Sequence, residues 1–321
     1  MSSVEKYLLI RHVGLSLFRW GGTQSILLSG PLSSGYVEPL PLPSTIYGFL
    51  SYIYYNKNGR LPGNNAIKIE QGPIFYSKGK GKEVLCVHLY PSKLICNISN
   101  IGGSPSNGCK KIIPVEGVIY KIGIALDRKE KKAKDRYIFM NKYIDLRAVA
   151  EKIIEEKPEK YGVLVKVSAD ESIFSFISKY RTFPFGTDSA PAKVEVYDIN
   201  DINMYSNGSE VYLASPAIIE SQGGDAHDRI YDKVKGKRYL TLPNGCIVDS
   251  EQPDYKGKPS ENKINIVRPI FRFLSIGYNY NEKRLDKMML AIMPGAIVSG
   301  NVKKLCNDYY SEKGWCSTFR L

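Results

Sequence analysis

The chain has 321 residues, of which 43% are hydrophobic, more than one ordinary core needs and about right for two domains of roughly 150 residues each. Its 45 lysines and arginines against 32 acids give a net charge of +13, which on a folded body must lie on the surface and suits polyanions: nucleic acid first, acidic lipid or an acidic protein second. No run of about 18 apolar residues occurs, and the amino terminus, MSSVEKYLLIRHVGL, has an early acid and a charge breaking its short apolar run, so neither a membrane span nor a secretory signal is expected; the reading is of a cytoplasmic protein.

In chain order, β-rich runs recur at 7–17, 83–89, 115–126, 136–144, 163–167, 192–197, 210–214 and 263–273, with alternation or β-branched and aromatic enrichment. Helical patterns fall between them at 44–55, 145–157 and 171–179. The first half thus reads strand, helix, several strands, helix, strand, the β-α-β-β-α-β order of ferredoxin-like domains with extra loops. A second, more irregular copy follows, its boundary in the charged stretch 155–162 with Pro158 and Gly162. The expected fold class is therefore α+β, two ferredoxin-like domains over 1–160 and 161–321, the second with an insertion around 221–262. Segments 59–82 and 221–262 lack a regular pattern and read as binding loops or insertions.

Local structure is best specified between Ser34 and Tyr55. Pro39, Pro41 and Pro43 fix φ and push the residues before them to extended geometry, so this loop costs little entropy to order. Ser44 then reads as the N-cap of a helix whose Ile46, Phe49, Leu50 and Ile53 share one face, with Asn56 to Gly59 as its stop. The first turn of such a helix presents unpaired N–H groups where a phosphate could sit.

Chemistry-bearing residues are sparse. No Ser, His and Asp set or paired carboxylates stand in a recognisable motif, and the histidines are isolated: His12 and His88 in strands, where satisfied core positions are expected, and His227 in a polar loop. A metal-free ribonuclease could use His227 as general base on a ribose hydroxyl, although no partner residue is evident. The six cysteines form no C-x-x-C pair, so no metal site and no cofactor are expected; buried free thiols are the plain reading, with Cys306 and Cys316 able to pair across a Tyr-rich loop. Basic clusters stand at 78–82, 127–136 and 229–238, the last bracketed by Tyr231 and Tyr239. The second, DRKEKKAKDR, connects two good strands and reads as a hairpin tip that carries its charges away from the sheet. Near the carboxyl terminus, Met293 to Gly300 reads as a tight turn leading to Lys303 and Lys304.

These pieces, in order, resemble a known family over nearly the whole chain. They are Phe18-Arg19; the P-x-P-S-T-x-x-G helix start at Pro41 to Gly48; the G-I-A-L-D-R strand end at Gly123 to Arg128, followed by the Tyr-containing strand at Arg136 to Phe139; the small-residue turn Phe185 to Val194; Val211 to Ala217; and the turn at Ile292 to Val302. The family is the third subunit of the Cmr effector complex, a RAMP-superfamily protein of type III-B CRISPR systems. The resemblance implies a non-catalytic subunit that holds the 5′ tag of the CRISPR RNA. It implies partners too: the large polymerase-like subunit on one side and a backbone subunit on the other, with target RNA met only indirectly. Carried onto this sequence, the RNA-binding residues are Arg19, Ser44 and Thr45 at the tag-binding surface. Arg128, Lys129, Lys131, Lys132, Lys134 and Arg136 follow on the hairpin beside it, and Lys303 and Lys304 after the last turn. The competing readings are a metal-independent endoribonuclease processing CRISPR RNA on the same pair of folds, and the equivalent tag-capping subunit of type III-A complexes.

Overall fold

A computed structural model of the chain describes residues 3–16, 18, 37–63, 65–100, 109–115, 118–127, 132–186, 189–202, 210–219, 239–241, 247–249, 264–267, 269–275, 278–279, 284–285, 288–300, 306 and 308–321. Its frame is an eight-stranded antiparallel sheet. In chain order the strands are β1 (Ser3–His12), β2 (Ile67–Lys78), β3 (Lys82–Leu89), β4 (Lys93–Asn100), β5 (Cys109–Pro114), β8 (Lys160–Asp170), β9 (Thr182–Phe185) and β10 (Ala190–Tyr197). They lie side by side as β5-β4-β3-β2-β8-β1-β10-β9. Between β5 and β8 the chain makes a separate two-stranded hairpin, β6 (Val118–Asp127) and β7 (Lys132–Ile144).

Three helices pack on one face of that sheet: α1 (Pro43–Asn58), α2 (Leu146–Ile154) and α3 (Glu171–Tyr180). Each buries its apolar stripe, Ile46, Leu50 and Ile53 from α1, Val149 and Ile153 from α2, Phe174 and Ile177 from α3, against Leu8, Ile10, Val163 and Val165 of the strands. The Asp145 carboxylate caps α2 by accepting from the Arg147 and Ala148 amides, and α2 ends at Ile154 rather than 157 because Glu155 turns left-handed at φ 64°.

The β-α-β-β-α-β order is present in the four central strands, β2-β8-β1-β10, with α1 between β1 and β2 and α3 between β8 and β10. Its second helix is therefore α3 and not the 145–157 helix. Everything from β3 to α2 is inserted between its second and third strands, and the sheet draws strands from both sides of residue 160. A further correction concerns 59–82: this stretch contains β2, which is paired with β8 and β3.

The opposite face of the sheet is covered by later strands. Tyr212 and Ala214 around β11 (Val211–Leu213) and Phe319 and Leu321 around β21 (Thr318–Arg320) pack on Tyr7, Leu9, Ile74, Tyr76 and Leu164. Strands β15 (Ile264–Val267) and β20 (Ile297–Gly300) complete a four-stranded sheet with these two, and β12 (Ala217–Ile219), β16 (Phe271–Ser275) and β19 (Met288–Ile292) make a three-stranded one. The run expected at 263–273 is thus two strands, divided at Pro269, which has no N–H for a ladder. Among the described residues there are also two short pairs, β13 (Tyr239–Thr241) with β14 (Ile247–Asp249) and β17 (Tyr278–Asn279) with β18 (Arg284–Leu285), and α4 (Asp308–Ser311) precedes β21. Four cysteines are not free thiols: the β3–β4 register sets Cys86 opposite Cys96, and these two, like Cys306 and Cys316, are joined as disulfides. Among the described residues no helix is long and apolar enough to cross a membrane.

Candidate nucleic-acid interface

The start of α1 lies one residue before the expected position. Leu42, held extended at φ −68°, ψ 152° by the proline that follows it, is the N-cap and makes no side-chain cap; Pro43 is the first helical residue. Ser44 and Thr45 therefore sit in the first turn, half-buried, with the Thr45 and Ile46 amides both directed at the Leu42 carbonyl. No acid stands in that turn, so its own sequence leaves the positive end of the helix dipole uncompensated. At the other end Gly59, at φ 68°, donates its N–H to the Tyr55 carbonyl and stops the helix where expected.

The proline loop is not a surface feature, for residues 37–43 are all buried. Leu40 enters the core under the helices and Leu42 the core of the later strands. The Glu38 carboxylate, fully buried, accepts from the Ser92 amide at 2.9 Å and lies 3.0 Å from His88 Nε2. The Glu38 amide donates to the Phe18 carbonyl, and Phe18 packs against the rings of His12 and Phe185. Two residues earlier, Ser16 exchanges both backbone hydrogen bonds with Ile144, at the root of the β6–β7 hairpin. The segment before Arg19, the entry to α1 and the root of the basic hairpin are thus tied into one continuous set of contacts.

An aromatic and cationic cluster that sequence reasoning missed borders this helix. The backbone of Lys313 bridges to Ile69, and its Nζ lies 3.3 Å from the centroid of the Tyr309 ring and 5.3 Å from that of Tyr47 on the second turn of α1. Tyr309 is 62% exposed, and its edge meets Tyr310. Burial, then the neighbouring Tyr309 and Glu312, push the Tyr47 hydroxyl to a higher pKa, so it stays a neutral donor. The Tyr-rich composition of 309–310 was the one available signal; its meeting with Tyr47 depends on the fold.

Of the other expected positions, Arg19, Arg128, Lys129, Lys131, Lys303 and Lys304 lie outside the described residues, as do His227 and the 229–238 cluster. Lys132, Lys134 and Arg136 lie on β7, on the half away from Ile144; twelve residues of strand, roughly 40 Å, separate Lys132 from that root. The root of the hairpin is anchored beside the helix entry through Ser16 and Ile144. His12 and His88 are both engaged in the interior, His12 through Ser16 Oγ and the Phe185 carbonyl, His88 through Glu38. Among the described residues no group of three His, Cys, Asp or Glu side chains could hold a metal ion.

No family model and no curated protein matches the chain. Solved structures do. A chain in the cryo-EM structure of the Type III-B Cmr-beta complex bound to cognate target RNA is similar at a TM-score of 0.53 and 18% identity, over 96% of this chain and 95% of that one. A chain of the same complex with cognate target RNA and AMPPnP is similar at a TM-score of 0.52 and 17% identity, over 96% and 94%. At such identities the shared property is the fold.

Proposed function

We propose that this chain is an RNA-binding subunit of a type III-B CRISPR effector, in the position of the third subunit of the Cmr complex. The observation that carries the reading is the end-to-end likeness to a Cmr-beta chain, 96% of this chain against 95% of that one, which leaves no large part of either to serve a different architecture. The β-α-β-β-α-β frame, the +13 charge and the braced helix start support it. On this reading the later strands form a second ferredoxin-like unit, and the subunit holds the 5′ tag of the CRISPR RNA between the large polymerase-like subunit and a backbone subunit in the cytoplasm. It cuts nothing itself. Ser44, Thr45 and Arg19 serve the tag, and the arm bearing Lys132, Lys134 and Arg136 reaches backbone phosphates farther out.

Purification of the full chain from its native cell, with sequencing of bound RNA, is the direct test; guide RNAs sharing a 5′ end should co-purify with a large polymerase-like protein. In the same assay Lys132→Gln/Lys134→Gln/Arg136→Gln should bind tagged guide RNA more weakly, with a salt slope shallower by about 0.7 for each lost single-strand phosphate contact. Bound RNA without a common 5′ end, or cleavage of repeat RNA by the purified chain, would sink the reading.

A further inference from the structure

On the sheet face opposite the helices, the cover supplied by β11 and β21 reaches Leu9 and Leu164, and among the described residues it goes no farther along β1 and β8. Beyond it is a cleft of about 160 Å³ lined by Leu9, Arg11, Glu159, Lys160, Tyr161, Lys193 and Glu195. Three adjacent strands supply its cations: Lys160 from β8, Arg11 from β1 and Lys193 from β10, the last two directly opposite in the register. Side chains two residues apart share a face, so Lys160 stands in line with Leu164. Gly162, between them and one step past the Ile10–Val163 pair, brings no side chain to the cleft. Its φ of 155° and an ideal Cβ only 2.6 Å from the Ile10 carbonyl oxygen keep that position a glycine.

The charges in this cleft are held ready. The Arg11 guanidinium lies 5.0 Å from the Tyr161 ring centroid and Lys160 Nζ 4.5 Å from that of Tyr197. Neither cation forms an ion pair among the described residues. Of the two acids that line the cleft, Glu195 is engaged by Lys193 at 3.0 Å and by the Tyr197 hydroxyl, which donates to it at 2.5 Å, and it also lies within the electrostatic reach of Arg11; Glu159 is exposed. Two partly buried, ring-mounted cations, neither within ion-pair distance of a carboxylate among the described residues although Arg11 interacts electrostatically with Glu195, form with Lys193 a cationic receptor for a tetrahedral oxyanion. The flat guanidinium supplies paired donors and the ammonium a point charge.

We propose that the Arg11–Lys160 cleft binds a phosphate group, either a phosphodiester of single-stranded RNA or the phosphate of a free nucleotide. The RNA source rests on the RNA-binding reading above. Titrating the full-length chain with a labelled single-stranded octauridylate and, separately, with adenosine 5′-monophosphate distinguishes the sources. If the phosphate is RNA's, Arg11→Gln/Lys160→Gln weakens octauridylate binding about tenfold or more and lowers the salt slope by about 1.4, while the mononucleotide does not compete. If it is a free nucleotide's, the wild type binds the mononucleotide, the double variant does not, and octauridylate binding is unchanged. Arg11→Lys, which keeps the charge and loses the fork, should fall between wild type and the double variant and serves where the latter does not fold. A wild type that binds no RNA but binds the mononucleotide through Arg11 overturns the RNA-binding reading and leaves the cleft standing. Equal behaviour of wild type and variants toward both probes overturns the cleft alone.

Discussion

His12 is 5% exposed on β1, and its two ring nitrogens have different partners. The Phe185 carbonyl can only accept, so Nε2 carries the proton and Nδ1 accepts from the Ser16 hydroxyl. Protonating Nδ1 would break the second bond and place a charge in the core. Burial accordingly pushes the His12 pKa below its ordinary value, against a smaller opposite pull from the Phe185 carbonyl. Between that depressed folded value and the unfolded one near 6.5, the unfolded chain binds more protons, so this contribution is complete above about pH 6.5 and is lost as pH falls. Denaturant unfolding should show lower stability at pH 5 than at pH 7, and His12→Asn should flatten part of that difference; parallel profiles for the two proteins would exclude His12 as the cause. That His12 and His88 are satisfied strand residues was readable from their setting. Which groups satisfy them was not, since Phe185 is 173 residues from His12 and Glu38 is 50 from His88.

At the scale of elements, the turn Met293–Ala296 docks on the β3–β4 connection, where the Tyr90 amide meets the Pro294 carbonyl. Gly295 has φ 91°, and an ideal Cβ there would lie 2.8 Å from the Leu89 Cα and 3.1 Å from the His88 carbonyl oxygen. Gly295→Ala should therefore cost about 1 kcal/mol or more in denaturant unfolding, while Gly81→Ala, with open space around it, should cost little. Equal stabilities would contradict the tight docking. The helices were legible because their apolar spacing and caps are local, as at Asp145 and Gly59. β2 was not, for a local reason as well. Its sequence IKIEQGPIFYSK shifts register between Ile69 and Gln71 and again between Gln71 and Ile74, which destroys the two-residue alternation. Gly72 sits in that irregularity at φ 107° and donates to Ser317 Oγ, a partner no local pattern reveals.

The molecule as a whole is a sheet covered on both sides, by helices within the first 180 residues and by strands from the last 111. Tyr7, Leu9, Ile74, Tyr76 and Leu164 are buried in one cluster with Tyr212, Ala214, Phe319 and Leu321, all from beyond residue 210. A fragment ending at residue 202 should consequently expose an apolar face, bind a hydrophobic dye and self-associate. A monomeric fragment that binds no dye would show the first part to be sufficient alone. At this scale the helix entry and the hairpin root are joined by hydrogen bonds, and twelve residues of β7 separate that root from Lys132, a distance invisible in a motif order. The entry loop has one more property. Leu40 is fixed in one core and Leu42, two residues on, in the other, so the chain between them spans at most about 7 Å and has no slack. Any slide of one core past the other would pull directly on Pro43 and the first turn of α1, making that turn a strain gauge for the seam between the two halves.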